Sequence, residues 1–258
     1  MTILFHEIVY GPIHSRRMGS SLGINLLPYD GKLCSFDCIY CECGLNKDFR
    51  TKTKLPDREN VRAALEERLQ QLQREGITPD VITFAGNGEP TMHPEFEEII
   101  NDSIALRNRY FPQTRISVLS NGMHLSKKSV FNALQKVENP ILKLDSAFDE
   151  TVRLIDRPVS GNYSVSKQVA HYKKFQGNFI LQTLFLKGMF EGKIIDNTTE
   201  KEISAWLALV SELRPREVMI YTIDRETPAN GLEKASLTLL QKIAARVEKL
   251  GIKTNVAG

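Results

Sequence analysis

The chain predicts an α/β fold built on a parallel sheet. Six short runs rich in β-branched and apolar residues recur along its 258 residues, and runs with helical periodicity separate them. Strands that alternate with helices imply right-handed crossovers and therefore parallel pairing. No repeat, low-complexity tract or long linker interrupts the pattern, and the length suits one α/β domain of roughly 200–250 residues spanning 1–258. By pattern alone the sheet is either open and doubly wound or curled toward a barrel.

In order, the expected strands are Leu22–Leu27, Val81–Ala85, Ile116–Leu119, Ile141–Leu144, Phe179–Leu186 and Val218–Ile223. The first helix should run from about Asp57 to Glu75, with Val61, Leu65, Leu69 and Leu72 on one face and Gly76 as its stop. The next follows His93-Pro94 and carries Phe96, Ile99, Ile100 and Ile104; Pro94 fits a first helical turn, where no donor is lost. Thr199 and Glu202 form a capping box ahead of inward-facing Ile203, Trp206, Leu207, Val210 and Leu213. A last helix is expected from about Ser236 to Leu250, stopped by Gly251. Residues 1–20 read as an extension before the first strand.

Composition narrows the function. Charge is mixed, 34 Lys and Arg against 31 Asp and Glu, so it neither demands nor forbids a nucleic-acid partner. No apolar run approaches the ~20 residues of a membrane helix, and the N-terminus has no export pattern. With four unexported cysteines, a cytoplasmic protein is expected.

Cys34, Cys38 and Cys41 fall within eight residues, in the loop of residues 28–43 after the first strand. Three close thiolates suit an iron–sulfur cubane and leave its fourth iron free for a small molecule. A structural zinc site would want four ligands in paired knuckles, and only Cys43 and five scattered histidines remain. A disulfide framework is not needed by a chain this long and 41% hydrophobic. After three ligands one thiol is left, which excludes a second cluster within the chain. Phe36 and Ile39 would provide an apolar shell.

The Cys-x3-Cys-x2-Cys spacing, with Tyr40 just before the last cysteine, resembles the signature of the radical S-adenosylmethionine (SAM) superfamily. Gly86-Asn87-Gly88-Glu89-Pro90 resembles that family's Gly-Gly-Glu-Pro motif, with Asn87 as an addition, and lacks the further glycine of a dinucleotide fingerprint. The segment from Tyr10 to Gly19 resembles small iron–sulfur oxidoreductases related to wyosine-type tRNA-modifying radical SAM proteins, with His14 a departure from the proline usual there. The resemblance implies a partial (β/α)6 TIM-like barrel whose chemistry sits at the C-terminal ends of the strands. It implies a [4Fe–4S] cluster on Cys34, Cys38 and Cys41, and SAM as the second cofactor. Tyr40 matches the adenine-contacting position, and Gly86, Asn87, Gly88, Glu89 and Pro90 would hold the methionyl part. At the other strand ends Ser120, Asn121, Lys143, Asp145 and Gln182 are SAM candidates. Alternation puts Lys143 and Asp145 on one face, so they are suited either to the SAM carboxylate and ribose or to an internal ion pair.

Arg157 and Arg225, in twin Ile-Asp-Arg strings, are nominated for substrate with a surface ion pair as the competing account, and Arg16 with Arg17 for an anionic substrate with a solvated edge as the competing account. Cys43 is either a hydrogen-atom donor or an ordinary buried thiol. The reaction implied is reductive cleavage of SAM to a 5′-deoxyadenosyl radical that abstracts hydrogen from a substrate, with flavodoxin or ferredoxin as reductant. A tRNA base is the first substrate reading. A glycyl-radical enzyme or a peptide is the second, and a non-catalytic metal-binding module the third.

Overall fold

A computed structural model describes residues 3–48 and 51–258. Its main sheet has eight strands in the order β1-β2-β3-β4-β5-β6-β9-β11 and curls into a half-barrel. The ranges are β1 (Val9–Ser15), β2 (Gly19–Ile24), β3 (Val81–Phe84), β4 (Arg115–Ser120), β5 (Asn139–Lys143), β6 (Ile180–Leu184), β9 (Glu217–Tyr221) and β11 (Lys253–Ala257). β1 pairs antiparallel with β2, and every other neighbour in this sheet is parallel.

All six expected strands are present, with two corrections. The first strand is Gly19–Ile24 rather than Leu22–Leu27, because most of the supposed extension folds back as β1 and pairs with it from Ser15↔Gly19 onward. The run Phe179–Leu186 is split: after β6 the chain leaves the barrel and continues as β7 (Leu186–Phe190). That strand sits between β8 (Lys193–Asp196) and β10 (Leu232–Lys234) in a separate three-stranded antiparallel sheet. Neither that sheet nor β11 is visible in the apolar pattern, since their residues are largely exposed or half-buried.

The α-helices among the described residues are α1 (Arg58–Glu75), α2 (Phe96–Tyr110), α3 (Lys128–Lys136), α4 (Asp149–Ile155), α5 (Val165–Lys173), α6 (Glu200–Leu213) and α7 (Leu237–Glu248). α1 matches its sequence signals closely. The Asp57 side chain accepts from Asn60 N–H, Gly76 closes it at φ 68, and Val61, Leu65, Leu69 and Leu72 are buried. α2 starts two residues beyond Pro94, so this proline lies in the preceding turn rather than in the helix. The Thr199 cap accepts from Glu202 N–H at 3.3 Å, but the box does not close. The Glu202 carboxylate instead accepts from Ser146 at 2.6 Å and Thr151 at 2.5 Å. Its helix face is buried against the α4 segment, which offers those hydroxyls.

The core lies between the helices and the outer face of the sheet. β3 is buried along its whole length, as expected for a parallel strand covered on both faces. Inside the barrel, Leu119, Ile141 and Ile180 stand in register on adjacent strands and pack with Met18 and Met219. Two residues further along, the inward positions become Lys143 and Gln182. The lumen is therefore apolar in its middle and polar toward the strand C-termini, where a site belongs.

One glycine is required by the fold near that end. Gly88 has φ +138, and a Cβ there would lie 1.9 Å from the Leu33 carbonyl oxygen. Gly88→Ala is expected to cost at least about 3 kcal/mol. Gly192→Ala, at φ +75 with nothing within 4 Å, should cost about 1 kcal/mol. Thermal unfolding of both variants checks the contrast.

Candidate functional site

The cysteine loop is held by backbone pairing on two sides. Leu33 N–H donates to Asn87 O at 2.9 Å and Glu89 N–H to Leu33 O at 3.1 Å, a short parallel bridge to the turn after β3. On the other side Asp37 N–H donates to Asp156 O at 3.0 Å, Ile39 N–H to Ile155 O at 2.9 Å and Val159 N–H to Ser35 O at 2.9 Å. Phe36 and Ile39 anchor the loop as fully buried side chains. All four cysteines are free thiols; Cys34, Cys38 and Cys41 are partly exposed and Cys43 is buried.

All three motif thiols act electrostatically on one ammonium. Lys32 is buried, donates to Gly44 O at 2.9 Å and stands 3.5 Å from Asp37. Burial works against its charge, but Cys41, Cys38, Cys34 and Asp37 outweigh burial and hold its pKa above the usual lysine range. Burial, reinforced by Glu89, pushes the Cys34 thiol up to about 12, and burial likewise raises Cys38. Cys41 is brought down to about 6, chiefly because the Cys43 thiol donates to it and also because Lys32 does. Cys43 is raised correspondingly and lies 3.5 Å from Gly86 O. Cys34 accepts from Phe36 N–H at 3.4 Å and from the Asn121 amide at 3.7 Å. Among the described residues no group of three or more His, Cys, Asp and Glu is gathered tightly enough to hold a single metal ion. A cubane takes its thiolates at separate corners, so this donor set fits a cluster better than a mononuclear zinc.

The Gly-Asn-Gly-Glu-Pro turn is mostly engaged with the chain itself. A Cβ on Gly86 would meet Asn25 Oδ1 at 2.3 Å, and Gly88 faces Leu33. Asn87 is fully buried, donating to Phe5 O at 2.8 Å and Pro28 O at 2.9 Å while accepting Phe5 N–H at 2.8 Å. Its side chain secures the N-terminal segment and faces no cleft. Pro90 is buried at the start of a single 3-10 turn. The Glu89 carboxylate accepts from Thr91, from Ser120 at 2.9 Å and from Asn121 N–H at 2.7 Å, which ties the ends of β3 and β4 together. Burial raises its pKa against those bonds. Ser120 is occupied by this contact, whereas Asn121 reaches on to Ser35 at 2.9 Å and to Cys34.

Tyr40, Lys143, Asp145 and Asp156 form one buried network. Lys143 is bonded to Asp145 and lies 3.0 Å from Asp156 and 4.6 Å above the Tyr40 ring. The Tyr40 hydroxyl donates to Asp145. The ion pair weighed from alternation is thus present, with a second carboxylate that alternation could not show. Burial opposes the Lys143 charge, but the two carboxylates overcome it and raise its pKa well above normal. Burial and Asp145 together push Asp156 up to about 8.

Beside the network a cavity of about 270 Å³ is lined by Tyr40, Cys41, Gln182, Tyr221 and Arg17, with Arg16 and Arg225 at its mouth. Arg17 lies over the Tyr221 ring at 4.4 Å and donates to Gln182 at 2.9 Å, with no acidic partner among the described residues. The other nominated arginines are paired: Arg16 with Asp224 at 3.2 Å, Arg225 with Glu42 at 2.6 Å, and Arg157 with Asp37 at 3.9 Å and Glu191 at 4.0 Å. A larger cavity of about 880 Å³ opens at the opposite ends of the strands and touches none of the cysteines.

Sequence reasoning passed over Lys32, Asp156 and Tyr221. Asp156 sits in the string that drew attention to Arg157, and Lys32 is two residues before Cys34.

Residues 30–192 match the model of the radical SAM superfamily. The chain belongs to that superfamily, whose members use a [4Fe–4S] cluster and SAM. Among curated relatives it is 29% identical over 222 residues to a GTPase Obg of Brachyspira hyodysenteriae, covering 85% of this chain and 30% of that protein. It is 28% identical over 221 residues to a UPF0026 protein of Helicobacter pylori, covering 84% and 67%. The chain thus spans less than a third of the first relative, and it contains no Gly-x4-Gly-Lys-Ser/Thr phosphate loop of its own. Similar folds occur in a radical SAM methyltransferase from Sphaerobacter thermophilus (TM-score 0.66, 14% identity, covering 92% of this chain and 65% of that one). They occur also in Streptococcus suis SuiB bound to SAM (0.64, 15%, 91% and 50%) and in TYW1 with a lysine–pyruvate adduct (0.59, 15%, 89% and 73%). No helix among the described residues is long and apolar enough to cross a membrane.

The raised Asp156 has a consequence for the cluster-free radical SAM protein. An unfolded aspartate ionises near 3.8 and this one near 8, so the folded state binds the extra proton between those values. Stability from this group is therefore complete below about pH 4 and is lost as pH rises toward 8. Asp156→Asn should gain on the unsubstituted protein by about 1 kcal/mol or more between pH 5 and 8 in urea unfolding. A constant difference across that range contradicts the assignment.

Proposed function

We propose that the chain is a radical SAM enzyme, one unit over residues 1–258, with a single [4Fe–4S] cluster on Cys34, Cys38 and Cys41. The observation that carries this is the gathering of three partly exposed thiols around one buried ammonium, at the end of the half-barrel where the strands open. Held on Cys34, Cys38 and Cys41, the cluster would supply the one electron that cleaves SAM reductively, and the carbon radical so released would take a hydrogen atom from the substrate. Membership of the superfamily implies an enzyme, which sets aside a purely structural metal module.

The chain's own residues bind, orient and exclude water. Phe36 and Ile39 shield one side of the thiols, and Asn121 and Phe36 N–H donate to Cys34. Tyr40 and Gln182, both lining the cavity beside Cys41, are the best-placed adenosyl contacts, with Asp145 and Lys143 reached through Tyr40. Glu89 acts through Asn121 by holding the β3 and β4 turns in register. Cys43 donates to Cys41 and is an ordinary buried thiol in this reading. A fixed geometry matters because hydrogen abstraction depends on near van der Waals approach.

For the substrate, the pairing of Arg16, Arg157 and Arg225 with acids removes the uncompensated basic band that RNA phosphates would need. The open edge of β8, with Ile194 79% exposed, suits an extended chain. Both observations favour a peptide or a protein such as a glycyl-radical enzyme over a tRNA base. A flavodoxin or ferredoxin in the cytoplasm would supply the electron.

Reconstitution with iron and sulfide, followed by SAM and dithionite, tests the core reading. Deoxyadenosine should form, Cys34→Ala, Cys38→Ala and Cys41→Ala should each abolish it, and Cys43→Ala should retain it. Product surviving any of the first three substitutions removes the ligand assignment.

A further inference from the structure

Lys32 has no part in the binding roles above, yet it is among the most deeply buried charges in the molecule, its side chain only 1% exposed. A lone buried ammonium is expensive and persists only where negative charge compensates it. Its donors reach the Gly44 carbonyl at 2.9 Å and Asp37 at 3.5 Å. Asp37 is a divided partner: the same Oδ1 accepts Asn46 N–H at 2.6 Å, and Oδ2 lies 3.9 Å from Arg157. The ammonium is fixed inside the cysteine loop, two residues before Cys34 and on the carbonyl of Gly44, whose own N–H donates to Cys41 O at 2.9 Å.

We propose that Lys32 is the charge-balancing residue of the cluster site, its buried ammonium stabilising the reduced cluster over the oxidised one and so raising the reduction potential. The proposal rests on the ligand assignment above. A cubane core with three thiolates carries one negative charge when oxidised and two when reduced. A fixed positive charge beside the ligand sulfurs therefore favours the electron-rich state, in a pocket where water does not screen it. Asp37, also near the thiols, acts in the opposite direction, so the pair sets the potential as a balance.

The test is a potentiometric titration of the reconstituted protein without SAM, followed by the electron paramagnetic resonance signal of the reduced cluster, with iron content measured alongside. Lys32→Met, which keeps length and removes charge, should move the midpoint to more negative values. Lys32→Arg should leave it within replicate scatter, and Asp37→Asn, which keeps an acceptor oxygen, should move it positive. A merely structural role predicts instead that water entering a loosened loop moves Lys32→Met and Asp37→Asn the same way. An unchanged or positive midpoint for iron-loaded Lys32→Met overturns the proposal. Should Lys32→Met not retain iron, Asp37→Asn decides: a positive shift supports the proposal and any other result overturns it. Failure of the unsubstituted protein to hold a cluster is a different outcome, which removes the ligand assignment and this inference together.

Discussion

Two short stretches of backbone hydrogen bonding hold the cysteine loop in place, and most of the site depends on them. Leu33 is paired to the turn after β3, and residues 35–39 are paired to the segment after α4. A loop carrying three thiols and a buried lysine would otherwise be mobile, since loops lack the ladder that orders strands. Here the loop acts as an extra strand across the mouth of the half-barrel. Gly88 permits that approach, because any side chain at this position would strike the Leu33 carbonyl. The resemblance of the Gly-Asn-Gly-Glu-Pro turn to a ligand-binding motif thus coexists with a plain structural duty: glycines admit the cysteine loop, Asn87 ties down the N-terminal segment, and Glu89 ties β3 to β4.

Charge inside the barrel is arranged in two separate balances. Near the thiols, Lys32 faces three sulfurs and Asp37. Deeper in, Lys143 faces Asp145 and Asp156, with the Tyr40 hydroxyl donating to Asp145. Each balance buries more potential negative charge than positive, which is why Asp156 retains its proton so far up the pH scale. Arg17, stacked on Tyr221 and bonded to a neutral amide, is the cation in the cleft left without an acid among the described residues. The surface arginines differ in kind; each meets an acid in solvent, where pairs contribute little.

What could be read from the chain was whatever is local in sequence. The three cysteines lie within eight residues, so their spacing reports their chemistry directly. α1 announces itself by Asp57, a 3–4 apolar repeat and Gly76, and the central parallel strands by continuous apolar runs. Features built from distant segments were hidden. β11 is polar and half-exposed, recognisable only once β9 is beside it. β10 joins β7 by pairing Leu232 with Gly188 and Lys234 with Leu186, segments far apart in sequence and without an apolar alternation. The Glu202 carboxylate looked like half of a capping box until Ser146 and Thr151 were brought within reach.

The amino-acid sequence by itself therefore determined the limits of α1, the parallel class of the sheet and the superfamily, all of which depend on residues near one another along the chain. Tertiary structure alone decided which charges neutralise which: Asp224 for Arg16, Glu42 for Arg225, and Asp37 for Lys32. The physical reason is that Coulombic and hydrogen-bonding partners act over a few ångströms in space, whatever their separation in sequence, and only folding fixes those distances.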